Sequence, residues 1–559
     1  MGTAWSSFKR AVYLVHRWMG IGACLLMALW FVSGVVMLFI GYPKLTPWER
    51  MAHLPALDAD QVRIPVAQAL ARVGEPANAT EIVLTSVAGR PAYRVRDGAG
   101  RLSVIDAANG QVLPRASPAA AEAAARAWAA ASAGTPAREG PPDAAARYVD
   151  TVTEDRWTHS SALNPHRPLL RVQLDDDART LLYISSATGE VVLDAPLSQR
   201  AWNYVGAWLH WLYFLRDRPV DPGWSWIVIV LSAGGTIVAL TGTLAGIWRW
   251  RFRGRYKSGK RSPYRDFYLR WHHITGLVFA AITCTWIFSG LMSMNPLGIF
   301  AAQGQRPDVA AYRGGLPGTV RPAVAAADAL RALQATGFAP REIAWRVLGG
   351  QPYLLARDGA DRTRLVMDMV GGGAGGEDKG DADGAGAAAG ATASATAGAD
   401  AGTGNAAPRI LAHWPQATLR AAAARLNTAA LMDMRWLERY DDYYYGRAPE
   451  AMNGGLERRL PAWRLTYADG ADTWVYLDPR TGDMALSADR AQRRGRWLFN
   501  FLHSWDLPAM LRDDGWRAGV LIVLSLGGLA LSLTGVVIGL ARLRRKVGRP
   551  RALERPRTG

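Results

Sequence analysis

Long uncharged stretches alternate along this chain with segments of mixed polarity. Four stretches are apolar and essentially free of charge: Trp18–Ile40, Trp224–Trp248, Ile274–Leu297 and roughly Trp516–Ala541. Each supplies the ~20 apolar residues that a helix needs to cross a ~30 Å hydrocarbon core. Membrane helices are therefore predicted at 18–40, 224–248, 272–297 and 516–541. The first is too long for the apolar core of a signal peptide, and the chain runs on as Gly41-Tyr-Pro-Lys with no small-x-small cleavage site. It reads as a retained helix.

The segments 41–199 and 298–492 carry a different pattern. Pro91-Ala-Tyr-Arg-Val-Arg with Leu102-Ser-Val-Ile-Asp106, Pro168-Leu-Leu-Arg-Val-Gln with Leu181-Leu-Tyr-Ile-Ser, and Pro461-Ala-Trp-Arg-Leu-Thr with Trp474-Val-Tyr-Leu-Asp478 alternate apolar positions and close on Asn-Gly or Thr-Gly. A weaker copy spans Pro352-Tyr-Leu-Leu-Ala-Arg and Leu365-Val-Met-Asp368. These are hairpin signals. Ala-rich stretches at 64–73 and 320–336 read as helices, giving small α+β modules, two in each half of the chain. Aromatic segments at 200–216 and 493–507 read as short helices at the membrane interface, where Trp and Tyr are favoured.

The halves resemble one another. At an offset of 256, His16-x-x-x-Gly20 matches His272-x-x-x-Gly276 and Ser33-Gly34 matches Ser289-Gly290. At an offset of 293, Tyr183 matches Tyr476, Thr188-Gly189 matches Thr481-Gly482, His210 matches His503 and Thr241-Gly242 matches Thr534-Gly535. The offsets differ by the length of Gly371–Ala407, a Gly/Ala/Asp tract without aromatics that reads as a disordered insertion. The predicted fold is a membrane α-helical protein of four transmembrane helices in two parallel tandem repeats. Gly20, Gly22, Gly234, Gly235, Gly527 and Gly528 are the expected close-contact positions of the bundle.

Charge sets the expected orientation. The net +18 is carried by three short flanks: residues 1–17, the linker 249–271 and the tail 542–559. Basic residues beside membrane helices mark the cytoplasmic side, which puts both termini and the linker in the cytoplasm and both α+β regions in the periplasm. The same distribution removes nucleic acid as a partner. Beyond Arg517 at the start of the last, the spans carry no Asp, Glu, Lys or Arg, which argues against an ion-coupled transporter. Gly371-x-Gly373-x-x-Gly376 fits a dinucleotide motif only formally, because no helix N-terminus follows to receive a pyrophosphate. Cys24 and Cys284 fall inside spans and read as buried thiols.

Four of the nine histidines obey the repeat. His16 and His272 fall at the cytoplasmic ends of spans one and three, and His210 and His503 fall just before spans two and four. Symmetry-related helices would bring each pair together. Opposed imidazoles can fill both axial positions of a haem iron, which suits electron transfer because no position is left for substrate. Two b-type haems, one near each membrane face, are the expectation. His273 is an alternative to His272, although the spacing to Gly276 favours His272. The competing reading is that interface histidines are structural. His53, His159, His166 and His413 have no repeat partner; His159 with His166 is a further candidate metal pair. Arg435, Arg439, Tyr443, Tyr444 and Arg447 interleave cations and aromatics and form a candidate surface for an anionic, chelate-like ligand.

His16-Arg-Trp-Met-Gly20 leading to Ser33-Gly34, four spans, and outer modules with Asp-x-x-[Thr/Asn]-Gly resemble the PepSY-associated transmembrane proteins of bacterial inner membranes. That family includes iron-regulated membrane proteins and haem-carrying ferric-siderophore reductases. The resemblance implies a reductase in which electrons enter from quinol or a cytoplasmic donor and leave to a ferric siderophore or similar chelate in the periplasm. The alternative is a membrane-anchored binding module for a periplasmic peptide, protein or metal chelate.

Overall fold

The computed structural model describes residues 2–74, 76–132, 145–216, 221–368, 408–452 and 454–547. The 371–407 insertion, with its Gly-x-Gly-x-x-Gly motif, and the end of the basic tail lie outside the described residues.

Three helices are long and apolar enough to cross a membrane: Gly2–Met37, Pro222–Arg249 and Asp514–Val547. A bent pair, Phe267–Val278 and Ala280–Ser293, which meet at 70°, passes the same test only when taken together, giving three or four candidate spans among the described residues. The protein is thus a multi-pass membrane protein. The main departures from the sequence reading are at the first and third of these elements in chain order. The first helix begins at Gly2, not near Trp18, because Trp5, Phe8 and Tyr13 all pack on Trp248 and carry the helix outward along its neighbour. The third crossing is broken where one continuous helix is expected. The break falls at Phe279, which leaves helical geometry (φ −100°, ψ 13°) where its ring seats against Gly527 of the last helix. A Cβ at Gly527 would overlap that ring, and one at Gly528 would overlap Phe31. Gly235 receives Ile287 in the same way at 3.1 Å, whereas Gly22 touches nothing within 4 Å. Between the helices Met27, Phe31, Trp286, Ile287 and Leu521 form the buried core of the bundle.

All the sequence-read hairpins form. Strands β1 (Glu81–Val87), β2 (Arg90–Arg96) and β3 (Leu102–Asp106) are followed by a four-stranded antiparallel sheet, β4 (Ala146–Val152), β5 (Leu169–Leu174), β6 (Leu181–Ser185) and β7 (Val191–Ala195). The second half supplies β8 (Pro340–Leu348), β9 (Gln351–Asp358), β10 (Thr363–Met367) and β11 (Arg409–Leu411). It ends with a second four-stranded sheet, β12 (Leu431–Leu437), β13 (Ala462–Tyr467), β14 (Trp474–Leu477) and β15 (Met484–Ala488).

The first modules of the two halves are not separate bodies. β1 pairs with β8 antiparallel, Val83 opposite Ala344, and produces one seven-stranded sheet, β11-β10-β9-β8-β1-β2-β3. Period-two alternation divides its faces. Leu84 and Ile343 point to a core with Leu70, Leu330 and Leu333, while Val83 and Ala344 point to a core shared with Leu465 and Val475 of the β12–β15 sheet. Buried charge ties the halves further. Arg50 reaches Glu190 at 2.8 Å and Glu342 at 2.5 Å, and Arg94 reaches Glu190 at 2.7 Å. Glu450, Ala451 and Gly454 seat this assembly on the membrane helices. Gly41, just past the first helix, donates to the Glu450 carbonyl at 2.6 Å, and Lys44 donates to the Ala451 and Gly454 carbonyls.

Several irregularities recur 293 residues apart. Cis prolines stand at 168 and 461, and left-handed residues at Leu212 and Trp505. The short helices Leu197–Asn203 and Arg490–Arg496 both run into a single π-turn, Tyr204–Trp208 and Trp497–Phe501. Each π-turn delivers a histidine, His210 or His503, to the end of the bundle nearest the sheets.

Candidate functional site

At the end of the bundle remote from the sheets, His16 of the first helix faces His272 of the third, with ring centres 6.2 Å apart. His16 Nδ1 lies 3.1 Å from the Val238 carbonyl, and His272 Nδ1 lies 3.1 Å from the Leu531 carbonyl and 3.2 Å from Thr534 Oγ1. A carbonyl can only accept, so Nδ1 carries the proton in both rings and Nε2 presents a lone pair.

At the sheet end, His210 faces His503, again at 6.2 Å. Here Nδ1 meets a hydroxyl: Ser33 Oγ at 2.9 Å from His210 and Ser289 Oγ at 3.0 Å from His503. Ser33 gives its own proton to the Leu29 carbonyl and Ser289 gives its proton to Trp286, so each hydroxyl accepts from the imidazole. The tautomer is the same in all four rings. Burial holds His210 down to about 3 and His503 down to about 4, leaving both neutral near pH 7. Among the described residues, no protein atom hydrogen-bonds to any of the four Nε2 atoms.

Glycines make room for the rings. A Cβ at Gly242 would stand 2.5 Å from His16 Cε1, and one at Gly535 would overlap Cys24 Sγ and stand 3.2 Å from His272 Cε1. Gly34 and Gly290 occupy the same relation to His210 and His503 at a looser 3.7 Å. The paired Ser-Gly and Thr-Gly dipeptides thus have a physical meaning. In three of the four the hydroxyl accepts from Nδ1 (beside Thr241 a backbone carbonyl accepts alone), and in all four the glycine clears the ring.

These features fit a metal macrocycle held through two imidazoles. Rings bound to one metal through Nε2 at ~2.0 Å would have centres ~6 Å apart, matching both pairs. A hydrogen bond from the other ring nitrogen is the usual device that fixes a ligand imidazole. Each pair also lines a pocket that is open at the side, His210 and His503 with Trp30, Phe31 and Trp286 at the sheet end, and His16 and His272 with Cys24 and Gly276 at the other. The sheet-end cavity contains an orphaned buried donor, Trp286 Nε1, whereas Trp30 Nε1 donates to the His210 carbonyl at 2.8 Å.

The remaining candidates separate clearly. His273 is committed through both nitrogens, to Ser262 Oγ at 2.8 Å and the Gly246 carbonyl at 2.9 Å, so it has no lone pair to offer. His159 bonds Glu154 and His166 bonds Ser185, and among the described residues no group of three or more His, Cys, Asp and Glu side chains could hold a metal ion. Cys24 is buried against the remote pair, and Cys284 lies 3.6 Å from Thr243. The five-residue arginine–tyrosine set is not one surface. Arg435 and Arg439 are exposed, Tyr443 is partly buried, and Tyr444 is wholly buried with its hydroxyl on the Arg459 carbonyl. Arg447 turns inward to Asp506 at 2.5 Å and roofs the sheet-end cavity.

Comparison with curated proteins finds no match. The family model described as the PepSY-associated TM region matches residues 13–399, which include three of the four facing histidines, and the chain belongs to that family.

Proposed function

We propose that this protein is a haem-dependent membrane reductase that carries electrons across the bilayer and delivers them to a ferric chelate, such as a siderophore, on the side of the sheets. The observation that carries this reading is the pair of equal separations: His16 to His272 and His210 to His503, both 6.2 Å, with every Nδ1 committed and, among the described residues, no hydrogen-bond partner on any Nε2. A b-type haem held by His16 with His272, or by His210 with His503, would supply one-electron transfer. The chain's own contribution is to fix each imidazole in the ligating tautomer, hold it beside a glycine and, at the sheet end, set it among mostly apolar side chains.

Duplication of one helix–module–helix unit accounts for the recurrence of histidines, serines, glycines, cis prolines and π-turns at matched positions. The basic flanks support an orientation with the remote pair near the cytoplasm, where quinol or a soluble donor would be accessible, and the sheets in the periplasm. Reduction is a sensible output there, because hard oxygen chelators hold Fe(III) far better than Fe(II).

The test is transport of electrons into a chelate. Liposomes containing the full-length protein and a trapped reductant are supplied with an external ferric hydroxamate and an impermeant Fe(II) indicator. Fe(II) should form only with protein present and should fall to the protein-free rate in His16→Ala and in His210→Ala. Equal rates in wild type and both variants would remove the reductase reading and favour the binding module.

A further inference from the structure

We infer that Arg447 is a carboxylate-binding residue of the sheet-end cavity, and that the group it takes is a propionate of the haem seated between His210 and His503. This inference rests on the function proposed above.

The cavity is lined by Trp30, Phe31, Trp286, Phe499 and other apolar or neutral side chains, and Arg447 is the one charged residue among those described that line it. A buried guanidinium is costly while any of its N–H groups lacks an acceptor. The partner of Arg447 does not meet all of them. Arg447 Nη1 binds Asp506 Oδ1 at 2.5 Å, but Nε is buried and has no partner, and the side chain is 5 % exposed. Asp506 is itself shared, accepting from Tyr445 at 3.1 Å and lying 3.9 Å from Arg517. Arg517 in turn binds Asp514 at 2.8 Å, so the two guanidinium groups and two carboxylates balance in charge, and what the roof leaves unmet is the buried Arg447 Nε–H.

The roof is also held in place. Gly41 binds Glu450, and Lys44 binds Ala451 and Gly454, which fasten the stretch carrying Arg447 to the end of the first membrane helix. Pre-organisation of this kind is what makes an arginine a directional carboxylate receptor, with its remaining N–H groups offered in a fixed fork. The chemistry that fits is an apolar ring system with an acidic substituent at one edge. A quinol, which lacks a carboxylate, would leave Arg447 Nε unpaired.

The test uses the full chain carrying His16→Ala, which isolates the sheet-end pair. It is loaded with iron protoporphyrin IX or with its dimethyl ester, and ligand release to an excess of a scavenging apo-haemoprotein is followed by the Soret band. With Arg447 present the ester should leave about tenfold faster than the free acid. Arg447→Gln should release the free acid about as fast as the ester, and Arg447→Lys, which keeps the charge beside Asp506, should recover part of the difference. Indifference of the Arg447 protein to esterification would overturn the assignment while leaving the haem reading intact. Failure of the unsubstituted full-length chain to take up protoporphyrin at all would remove the haem reading, and this one with it.

Discussion

At the remote end of the bundle, His16 and His272 give their Nδ1 protons to backbone carbonyls, against glycines that leave 2.5 and 3.2 Å to a hypothetical Cβ. At the sheet end, His210 and His503 give theirs to serine hydroxyls, against glycines that leave 3.7 Å. The ring separations are nonetheless equal. The remote pair is positioned by main chain and close helix contact, while the sheet-end pair is positioned by side chains and a roof. At the remote end a backbone carbonyl accepts from each imidazole and Thr534 adds a second acceptor for His272, whereas at the sheet end each acceptor is a serine hydroxyl that a single substitution removes.

The largest effects should come from the imidazoles. His16→Ala or His272→Ala should remove one of two haem components, and His210→Ala or His503→Ala the other, as read by reduced-minus-oxidised spectra. His273→Ala should remove neither, and loss of a component there would contradict the assignment of His272. Next comes the glycine contrast. Gly242→Ala should abolish or severely weaken the remote component, whereas Gly34→Ala should leave the sheet-end component within a few-fold of wild type in retention. Equal effects would erase the distinction between tight and loose slots.

Smaller again are the hydrogen-bond acceptors. Ser33→Ala or Ser289→Ala should weaken sheet-end retention by about 10–100-fold, the usual range for losing such a partner. Thr534→Ala should do much less, because the Leu531 carbonyl still accepts from His272. The smallest effect separates the sheets from the bundle by acid. Burial alone would raise Glu190 and Glu342, but Arg94 and Arg50 hold both carboxyls below their ordinary range. A depressed carboxyl contributes stability that is complete above the unfolded value of ~4.3 and is lost as pH falls through the folded one. The unfolding temperature of the sheet region should therefore drop below about pH 4, and Glu342→Gln should flatten that dependence.

Much of this was readable from residues. Uncharged runs located the crossings, and alternation closed by Thr-Gly or Asn-Gly located the hairpins. Recurrence picked out the four histidines together with the Ser-Gly and Thr-Gly pairs. The role of those dipeptides was hidden, because it depends on a contact across helices 177 and 262 residues apart in sequence. The break at Phe279 was equally invisible: no Pro marks it, and its cause is a ring meeting Gly527. The joining of β1 to β8 could not be read either, since edge pairing is set by exposed main chain rather than by side-chain pattern. Composition also misled at 435–447, where the same residue types serve an exposed strand end, a buried tyrosine stack and the cavity roof.

The most direct test of the central claim is the low-temperature electron paramagnetic resonance spectrum of the full-length protein, purified from haem-replete cells. The account predicts two low-spin ferric signals of bis-imidazole type, one absent in His272→Ala and the other absent in His503→Ala. A colourless protein, or a spectrum unchanged by either substitution, would contradict it.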